Sequence, residues 1–403
     1  MNALVLGLAR SGQAAALALA RRGDRVVGVD RSDEVDAGRL EAAGVEVRLG
    51  SEEDSLLEGM DVLIKSPGVP AEAPLVVAAR RRGVPVWSEV ELGGRLLPNP
   101  ILGVTGTNGK TTTSELLGAM LGAPVAGNVG RALTELDGEV APDTWIVCEL
   151  SSFQLEDIVD FRPAIGVLLN LEPDHLDRHG TFDAYRRAKL RIFENQRADD
   201  VAVVPRGFAE VGRAKRAEFS ADDPLPGEPR MPGGHNRENA AAATAAARAA
   251  GVPEDQIADA LRTFPGVAHR LEEIAEIRGV RYVNDSKATN AAAARRALAA
   301  YDSPLHVILG GLGKNESYAE LASDLRAKAA RAYLIGTAAN ELAAALEIPV
   351  ERSGDLATAV RSAAAAAQPG DVVLLSPACA SYDQFENFEQ RGNEFRRLVE
   401  ELQ

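Results

Sequence analysis

The sequence predicts three consecutive α/β domains, each built on a parallel sheet that is covered on both faces. Short, continuously apolar strands alternate with glycine-rich turns and helices along the chain, which is the pattern of buried parallel strands. The length of 403 residues suits two to four domains at roughly 100–200 residues each. Prolines at Leu97–Pro100 and a Phe264–Gly266 turn punctuate the pattern, so we expect domains at 1–97, 98–268 and 269–403.

The first predicted domain begins with strand Leu4–Leu6, which leads into the turn Gly7–Gly12 and an Ala- and Leu-rich helix that ends near Arg22. A second strand, Arg25–Val29, ends at an aspartate, and a third, Val62–Ile64, ends at a lysine. Ligands of such sheets bind outside the carboxyl ends of the strands. We therefore expect binding residues in the loops that follow each strand.

The second and third predicted domains repeat this order of strand, polar turn and helix. The strands of the second domain are Ile101–Thr105, Trp145–Cys148, Ile165–Leu169 and Val201–Val204. The strands of the third domain are Tyr282–Val283, His306–Leu309, Ala332–Ile335 and Val372–Leu375. Polar loops follow three strands of the third domain, and together they predict one shared pocket.

Composition excludes several classes of protein. A net charge of −15, from 44 basic and 59 acidic residues, argues against a nucleic acid or an anionic membrane as partner. A hydrophobic content of 46% excludes a long disordered chain. The two cysteines form neither a disulfide framework nor a zinc motif. No apolar run reaches the ~18–20 residues that span a bilayer, and no signal peptide is recognisable, so we expect a cytoplasmic protein and, by default, a monomer.

The basic residues are strongly biased towards arginine, with 37 Arg and 7 Lys. A lysine in such a chain is expected where a compact ammonium is needed. The seven are Lys65, Lys110, Lys189, Lys215, Lys287, Lys314 and Lys328.

The strongest motif is GVTGTNGKTT at 103–112, where a strand leads into a glycine-rich turn and then a helix. Backbone N–H groups of such a turn bind phosphates, Lys110 can reach the β- and γ-phosphates, and Thr111 can bind Mg²⁺. The strict P-loop pattern fails at Val104, where it requires glycine. The context of strand, loop and helix nevertheless predicts phosphate binding.

The turn Gly7-x-Ala9-x-x-Gly12 nearly matches the dinucleotide-binding fingerprint, and Asp30 stands where a ribose-binding acid is expected. Ala9 replaces the second glycine, which normally lets the backbone approach a pyrophosphate. The turn is therefore compatible with a nucleotide-type ligand or with a purely structural role, and it argues against a nicotinamide dehydrogenase.

Two polar groups follow strands of the second predicted domain. Glu149 ends one strand, where a carboxylate can bind Mg²⁺ or interact with a helix N-terminus. Asp174 and His175 follow Ile165–Leu169 and predict either a metal or substrate site or a capping loop.

Phe182, Tyr185, Lys189 and Ile192 share one face of a predicted helix, at spacings of i, i+3, i+7 and i+10. Lys189 therefore lies on an apolar stripe. Spacing alone favours a lysine whose ammonium reaches solvent. The alternative is a buried amine of lowered pKa, which can react with CO₂ to give a carbamate, an anionic metal ligand.

The chain as a whole resembles the Mur ligase family, and within it the members that add D-glutamate. The motifs that carry the resemblance are TGTNGKTT, ELSSFQLE, DHLDRHG, YRRAKLRIFENQ, HNRENAAAA, HRLE, NDSKATN and SPACASYDQFENFEQRGNEF. The N-terminal GLARSG and SPGVP also fit and disfavour folylpolyglutamate synthase, which starts at the P-loop domain.

The resemblance implies a Rossmann-like UDP-binding domain, a central P-loop ATPase domain and a C-terminal Rossmann-like domain. It implies ATP-dependent ligation of D-glutamate to UDP-N-acetylmuramoyl-L-alanine through an acyl-phosphate, with release of ADP and phosphate, in cytoplasmic peptidoglycan precursor synthesis. The implied cofactors are ATP, two Mg²⁺ ions and a CO₂-derived carbamate on Lys189. The implied partners are small molecules only, without nucleic acid or stable membrane insertion.

The resemblance also implies the roles of individual residues. Catalytic residues are Lys110, His175 and Lys189. ATP contacts are Gly106, Thr107, Asn108, Gly109, Lys110, Thr111, Thr112, Asn239, His269, Arg270, Asp285 and Lys287, with Asn236 as a further contact. UDP-substrate contacts are Ser11, Asp30, Arg31, Ser66, Gly68 and Asn128. D-Glutamate contacts are Asp174, Thr289, Lys314, Ser381 and Phe388. Metal ligands are Thr111, Glu149, His175 and carbamylated Lys189.

Two positions depart from the family pattern: Leu312 stands where Asp is common, and Tyr382 replaces a smaller apolar residue. Three alternatives stay open at this point. They are a related ligase for another amino acid, a nicotinamide dehydrogenase, and a nucleotide-binding regulator without catalysis.

Overall fold

The computed structural model describes residues 1–231, 233–313 and 317–403. These residues form two compact units, the first made of Met1–Pro229 with His235–Thr263, and the second of Arg230–Gly234 with Phe264–Gln403. The first unit contains two sheets and the second contains one. The α/β architecture predicted from the sequence is therefore confirmed.

The first sheet is wholly parallel, with the strand order β3-β2-β1-β4-β5. Its strands are β1 Asn2–Leu6, β2 Arg25–Asp30, β3 Glu46–Leu49, β4 Val62–Lys65 and β5 Val86–Ser88. Its helices are α1 Arg10–Arg21, α2 Gly38–Ala42, α3 Pro74–Arg81 and α4 Glu89–Leu96. Alternate residues of β1 face opposite ways, so that Ala3 and Val5 pack with α1, α2 and α4, whereas Leu4 and Leu6 pack with α3.

The second sheet of the first unit is also parallel, with the order β11-β10-β9-β6-β8-β7. Its strands are β6 Ile101–Thr105, β7 Val125–Gly127, β8 Ile146–Glu149, β9 Ile165–Leu168, β10 Val201–Pro205 and β11 Lys215–Phe219. The helices that follow in this part of the chain are α5 Lys110–Leu121, α6 Ser152–Leu155, α7 Leu176–His179, α8 Phe182–Leu190, α9 Gly234–Ala249 and α10 Glu254–Thr263. Central β6 lies between β9 and β8, so its carboxyl end is flanked by the loops that follow both.

The second unit holds a six-stranded sheet of order β12-β13-β17-β14-β15-β16. Its strands are β12 Glu272–Ile277, β13 Val280–Asn284, β14 Leu305–Gly310, β15 Ala329–Ile335, β16 Val350–Gly354 and β17 Val372–Leu375. Its helices are α11 Ala291–Ala299, α12 Ala319–Lys328, α13 Ala339–Ala345, α14 Leu356–Ala366 and α15 Phe388–Glu400.

One edge of the third sheet is antiparallel, because β12, a strand that the sequence does not predict, runs opposite to β13. The two strands are joined by Arg278 and Gly279, whose φ angles are 53° and 77°. Two consecutive positive φ angles make the tight turn that matches the twist of a hairpin. Each predicted domain contains one complete sheet, and the boundaries 1–97, 98–268 and 269–403 stay predictions.

Candidate functional site

The glycine-rich loop between β6 and α5 forms the centre of the candidate site in the first unit. Helix α5 begins at Lys110, so the N–H groups of its first turn and the positive end of its dipole face the loop. Gly109 has a φ of 81°, and a Cβ there would lie 2.1 Å from Oδ1 of Asn239. Thr111 and Thr112 are buried in the first turn of the helix. This geometry is that of an anion-binding helix terminus.

Neighbouring segments fix the loop in place. The N–H of Asn108 donates to Oδ1 of Asn170 at 2.8 Å, and the N–H of Thr107 donates to the carbonyl of Asn170 at 3.1 Å. The Lys110 ammonium donates to the carbonyls of Gly106 at 2.9 Å and Thr107 at 3.0 Å. Because Asn170 follows β9, the loop is held by the neighbouring strand as well as by its own helix.

Asn236 and Asn239 are buried in the first turns of α9. The close approach of Asn239 to Gly109 places it at the glycine-rich loop, as predicted for an ATP contact. Asn236 lies one turn earlier on the same helix.

Lys189 is buried, with only 2% of its surface exposed. Its Nζ donates to the carbonyl of Gly106 at 2.7 Å and lies 4.8 Å from the centre of the Tyr185 ring. Burial, and then the nearby Lys110 ammonium, lower the pKa of Lys189 to about 7. The interpretation of Lys189 as a lysine that reaches solvent is therefore wrong, because the helix face that carries it is packed against the loop.

Glu149 ends β8, where it pairs with Val104 of β6, and its side chain is buried. Its Oε1 accepts a hydrogen bond from Nδ2 of Asn128 at 2.9 Å. A buried carboxylate at the end of β8, a strand that packs against α5, is a suitable oxygen ligand for Mg²⁺. Asn128, predicted to contact the UDP substrate, thus lies beside a predicted metal ligand.

His175 and Asp174 are exposed at the start of α7, with a 3.6 Å distance between Nε2 and Oδ2. His175 has a φ of 50°, and its ring centre lies 5.0 Å from that of Phe153. A non-glycine residue at positive φ is uncommon and often marks a functional position. Within the described residues, no group of three or more His, Cys, Asp or Glu side chains gathers as a metal cluster.

Sequence reasoning missed His179, which lies one helical turn after His175. Its Nε2 lies 3.0 Å from Oγ of Ser152, its Nδ1 lies 3.1 Å from Oε1 of Glu156, and its ring stacks on Phe153 at 5.3 Å. It therefore links α7 to α6. The i, i+4 spacing of the two histidines was the available signal.

Three predicted UDP-substrate residues gather at the carboxyl ends of β1, β2 and β4. Oγ of Ser66 donates to the carbonyl of Gly7 at 2.6 Å and lies 3.5 Å from Oγ of Ser11. Asp30 accepts from the N–H of Leu8 at 2.6 Å, so its carboxylate holds the glycine-rich turn. Two further predicted contacts, Arg31 and Gly68, are exposed in the following loops.

In the second unit, residues predicted for ATP and for D-glutamate lie together. The ring centres of His269 and Phe388 are 6.3 Å apart, and Nζ of Lys287 lies 5.8 Å from the Phe388 ring centre. The N–H of Lys287 donates to the carbonyl of His269 at 3.0 Å. Arg270 is half-buried beside His269, and Thr289 donates its N–H to the carbonyl of Lys287 at 2.9 Å.

Asp285 is buried at the end of β13. Its Oδ2 accepts from Oγ of Ser376 at 2.8 Å, and its Oδ1 accepts from the N–H of Leu271 at 3.3 Å. Burial raises the pKa of Asp285 to about 7, and the hydrogen bond from Ser376 opposes this shift. A carboxyl group of this kind changes its charge near neutral pH.

Arg391 in α15 is a second residue that sequence reasoning missed. It is fully buried, and its guanidinium donates to Oγ and the carbonyl of Ser286, at 3.0 and 2.9 Å, and to the carbonyl of Cys379 at 3.2 Å. It therefore joins the loop after β13 to the loop after β17, in which Ser381 is buried. The predicted D-glutamate contact Lys314 lies outside the described residues.

Comparison with known proteins identifies the family. Three family models match successive parts of the chain: "Mur ligase MurD-like, N-terminal domain" over residues 1–88, "Mur ligase middle domain" over 104–223 and "Mur ligase, glutamate ligase domain" over 269–379. The chain belongs to the Mur ligase family.

Curated relatives of this Mur ligase cover nearly its whole length. It is 43% identical to the UDP-N-acetylmuramoylalanine–D-glutamate ligase of Acidobacterium capsulatum, over 98% of the chain and 95% of the relative. The enzyme of the same name from Anaeromyxobacter dehalogenans is 44% identical, over 98% and 97%.

Solved structures of the family share the fold at low identity. MurF ligase from Thermotoga maritima in complex with ADP matches with a TM-score of 0.61 and 17% identity, over 94% of this chain and 96% of that one. The UDP-N-acetylmuramate–alanine ligase MurC of the same organism matches with a TM-score of 0.58 and 18% identity, over the full length of both chains. Across the described part of this Mur ligase, no helix has the length and apolar character needed to cross a membrane.

Proposed function

We propose that this protein ligates D-glutamate to UDP-N-acetylmuramoyl-L-alanine at the expense of ATP, in the synthesis of peptidoglycan precursors. The observation that carries the proposal is the identity of 43–44% to ligases of that name over 98% of the chain. If this protein added a different amino acid, we would expect its relatives of similar identity and length to be ligases named for that amino acid. Because ATP and a UDP-linked sugar are its substrates, the proposal places the reaction in the cytoplasm.

The proposed chemistry has two steps. A carboxylate oxygen of the alanyl group attacks the γ-phosphorus of ATP, the bond to the β–γ bridging oxygen breaks, and ADP leaves with its electron pair. The amine of D-glutamate then attacks the carbonyl carbon of the acyl-phosphate, phosphate leaves, and the nitrogen loses a proton to give the amide. Phosphorylation is needed because a carboxylate is a poor electrophile.

The loop around Lys110 is suited to the first step. Phosphoryl transfer depends mainly on positioning and on stabilising charge. In the proposal the backbone N–H groups of the Gly106–Thr112 segment bind the ATP phosphates, and Lys110 neutralises charge that develops on the β- and γ-phosphates. The loop can keep this conformation only with glycine at 106 and 109, since a Cβ would lie 2.9 Å from Cβ of Leu169 and 2.1 Å from Oδ1 of Asn239 respectively.

Mg²⁺ fits the oxygen donors of this region. Thr111 and Glu149 would hold one ion, and His175 with carbamylated Lys189 would hold a second. Bound Mg²⁺ would supply positive charge to the phosphate oxygens. The carbamate is part of the proposal, and it is supported by the burial of Lys189 and by its pKa of about 7, which leaves a neutral amine available to CO₂ near neutral pH.

In the proposal, His269, Arg270, Asp285 and Lys287 are ATP contacts. The proposed D-glutamate contacts are Asp174, Thr289, Lys314, Ser381 and Phe388. The monomeric state and the domain boundaries remain predictions.

A phosphate-release assay tests the proposed function. We expect turnover only when ATP, UDP-N-acetylmuramoyl-L-alanine and D-glutamate are all present, with the amide product identified by mass spectrometry. A Lys110→Met variant should lose this turnover and serves as the control for contaminating ATPases. Faster turnover with L-glutamate, L-lysine or L-alanine would contradict the assignment of the amino acid, and phosphate release without the UDP substrate would contradict the ligase reaction.

A further inference from the structure

Lys65, the last residue of β4, carries a buried charge that the proposed reaction does not use. It is 1% exposed, and its Nζ lies 3.0 Å from Oδ2 of Asp157, whose side chain is 3% exposed. The same Nζ donates to the carbonyl of Val69 at 3.0 Å. Removing two charges from water costs several kcal/mol per ion. A gain in stability is therefore not a sufficient explanation for this buried ion pair.

On one side, Lys65 holds the turn Ser66–Val69. The N–H of Val69 donates to the carbonyl of Ser66 at 3.0 Å, and Oγ of Ser66 donates to the carbonyl of Gly7 at 2.6 Å. The bond from Lys65 to the Val69 carbonyl fixes the far end of the same turn. The turn that contains the proposed UDP-substrate residues Ser66 and Gly68 is therefore attached at both ends.

On the other side, Asp157 attaches the first sheet to the segment after α6. Its Oδ1 accepts from Arg80 at 3.0 Å, and its backbone carbonyl accepts from the N–H of Ser88 at 2.9 Å. Lys65, Arg80 and Ser88 come from β4, α3 and β5, whereas Asp157 follows the β8–α6 connection that begins at Glu149. The ion pair thus bridges the substrate turn and the segment that leads from the proposed metal ligand.

A lysine suits this position better than an arginine. Its ammonium has three donors in a compact, roughly tetrahedral arrangement and can reach two oxygens in different directions, whereas the planar guanidinium presents its donors in a rigid fork. In a chain with 37 Arg and 7 Lys, the presence of lysine at position 65 agrees with the need to contact both the Asp157 carboxylate and the Val69 carbonyl.

We propose that Lys65 is a positioning residue for the UDP-linked substrate: its ion pair with Asp157 and its hydrogen bond to Val69 hold the Ser66–Val69 turn in register with the ATP-binding half of the unit. This inference rests on the proposed function. Loss of the pair should let the turn shift without altering the phosphate-binding loop, so the effect should fall on binding of the UDP substrate.

The test compares steady-state kinetics of the whole enzyme and three variants: Lys65→Met, Asp157→Asn and the double variant. We expect each single change to raise KM for UDP-N-acetylmuramoyl-L-alanine about tenfold, with kcat and KM for ATP changed by less than about threefold. The double variant should resemble the single variants, because both act on one interaction. Lys65→Arg keeps the charge. Compared with Lys65→Met, its unfolding temperature should return closer to the wild-type value than its KM for the UDP substrate does.

Arg22→Met is the matched control, because Arg22 forms an ion pair with Asp137 at 2.8 Å, also between the first-sheet and second-sheet parts of the unit, but does not contact the turn. It should leave KM for the UDP substrate unchanged. Titration calorimetry with the UDP substrate repeats the comparison without turnover, and a thermal melt of each variant reports folding.

If the Lys65 and Asp157 variants lower only the unfolding temperature and keep the wild-type KM and calorimetric affinity, Lys65 is a structural residue and the inference is overturned. An equal rise in KM for ATP would also overturn it. Failure of the wild-type enzyme to turn over the UDP substrate would instead contradict the proposed function, so the two failures are distinguishable.

Discussion

The Lys189 ammonium donates a 2.7 Å hydrogen bond to the backbone carbonyl of Gly106, in the centre of the glycine-rich loop. Lys110 donates to the same oxygen at 2.9 Å. Two ammonium groups that share one acceptor repel each other, and Lys189 is the buried one. Its pKa of about 7 follows from burial first and from Lys110 second. An amine in this state is a nucleophile for CO₂, and as a carbamate it would attract Lys110 instead of repelling it.

Replacement of Lys189 tests the carbamate. We expect Lys189→Ala to lower kcat by about 10²-fold or more, because the proposed second Mg²⁺ would lose its anionic ligand and with it the charge that the ion supplies to the phosphate oxygens, with partial recovery on addition of a short-chain carboxylate. Lys189→Arg is the control that keeps positive charge but cannot form a carbamate, and it should be inactive as well. With ¹³C-bicarbonate, the NMR spectrum of the wild-type protein should contain a carbamate signal that neither variant shows. Full activity of Lys189→Arg would contradict the carbamate.

Gly109→Ala should weaken ATP binding. The backbone at Gly109 has a φ of 81°, and a Cβ would lie 2.1 Å from Oδ1 of Asn239. We expect KM for ATP to rise at least about tenfold, since the loop must move away from Asn239. The alanine would also destabilise the folded protein by about 1–2 kcal/mol, because it would have to adopt a left-handed backbone conformation. Gly122→Ala is the matched control, because Gly122 ends α5 at a φ of 61° with nothing within 4 Å of its Cβ position. It should lower the unfolding temperature alone; an equal KM for ATP in both variants would count against a role of the loop in ATP binding.

Glu89 predicts a pH dependence of stability. It is fully buried, its Oε1 accepts from the N–H and Oγ1 of Thr134 at 2.7 and 2.8 Å, and burial raises its pKa from 4.5 to about 7. Between these values the folded state binds more protons than the unfolded state, so the Glu89 contribution to stability falls as pH rises from about 4.5 to about 7. Over that window the loss is up to about 3 kcal/mol.

Glu89→Gln should therefore be more stable than the wild type at pH 8 and no more stable at pH 5, as measured by thermal unfolding at both pH values. The glutamine can keep both hydrogen bonds from Thr134 without a charge. Glu91→Gln is the control: the Glu91 carboxylate accepts from the N–H groups of Val159, Asp160 and Phe161 and from Arg95, so loss of its charge should destabilise the protein at pH 8. A pH-independent difference between Glu89→Gln and the wild type would contradict the shifted pKa.

Replacement of Arg391 should lower both the stability of the protein and its affinity for D-glutamate. Burial lowers its pKa to about 10, and its guanidinium bonds hold the loops at Ser286 and Cys379 together. Arg391→Lys should destabilise the protein by about 3 kcal/mol, since buried acceptors lose their donors, and should raise KM for D-glutamate, because Ser381 lies two residues after Cys379. Arg397→Lys, at the exposed face of the same helix, should change neither thermal unfolding nor KM; an unchanged KM for D-glutamate in Arg391→Lys would exclude a role in the pocket.

The strands that the sequence predicts are all present, with ends that differ by a few residues, because a continuous apolar run is a local signal of burial on both faces. The six strands that it misses include short edge strands such as β3 and β11, most of whose residues are half-buried or exposed. Hairpin β12–β13 escaped detection because Arg278 adopts a positive φ that arginine rarely takes. Strand ends at a sheet edge depend on neighbours that no local pattern reveals.

The sequence by itself determined where the glycine-rich loop lies and which residue types carry charge, since GTNGKTT between an apolar strand and a helix is a local pattern. Only the tertiary structure decided the state of Lys189, the pairing of Lys65 with Asp157 and the burial of Arg391. Each depends on removal from water by segments distant in the chain, and desolvation is what turns an ordinary charged side chain into one with a shifted pKa or an obligatory partner. Spacing on a helix could place Lys189 on an apolar face, but the packing of that face against Gly106 decided that its amine is buried.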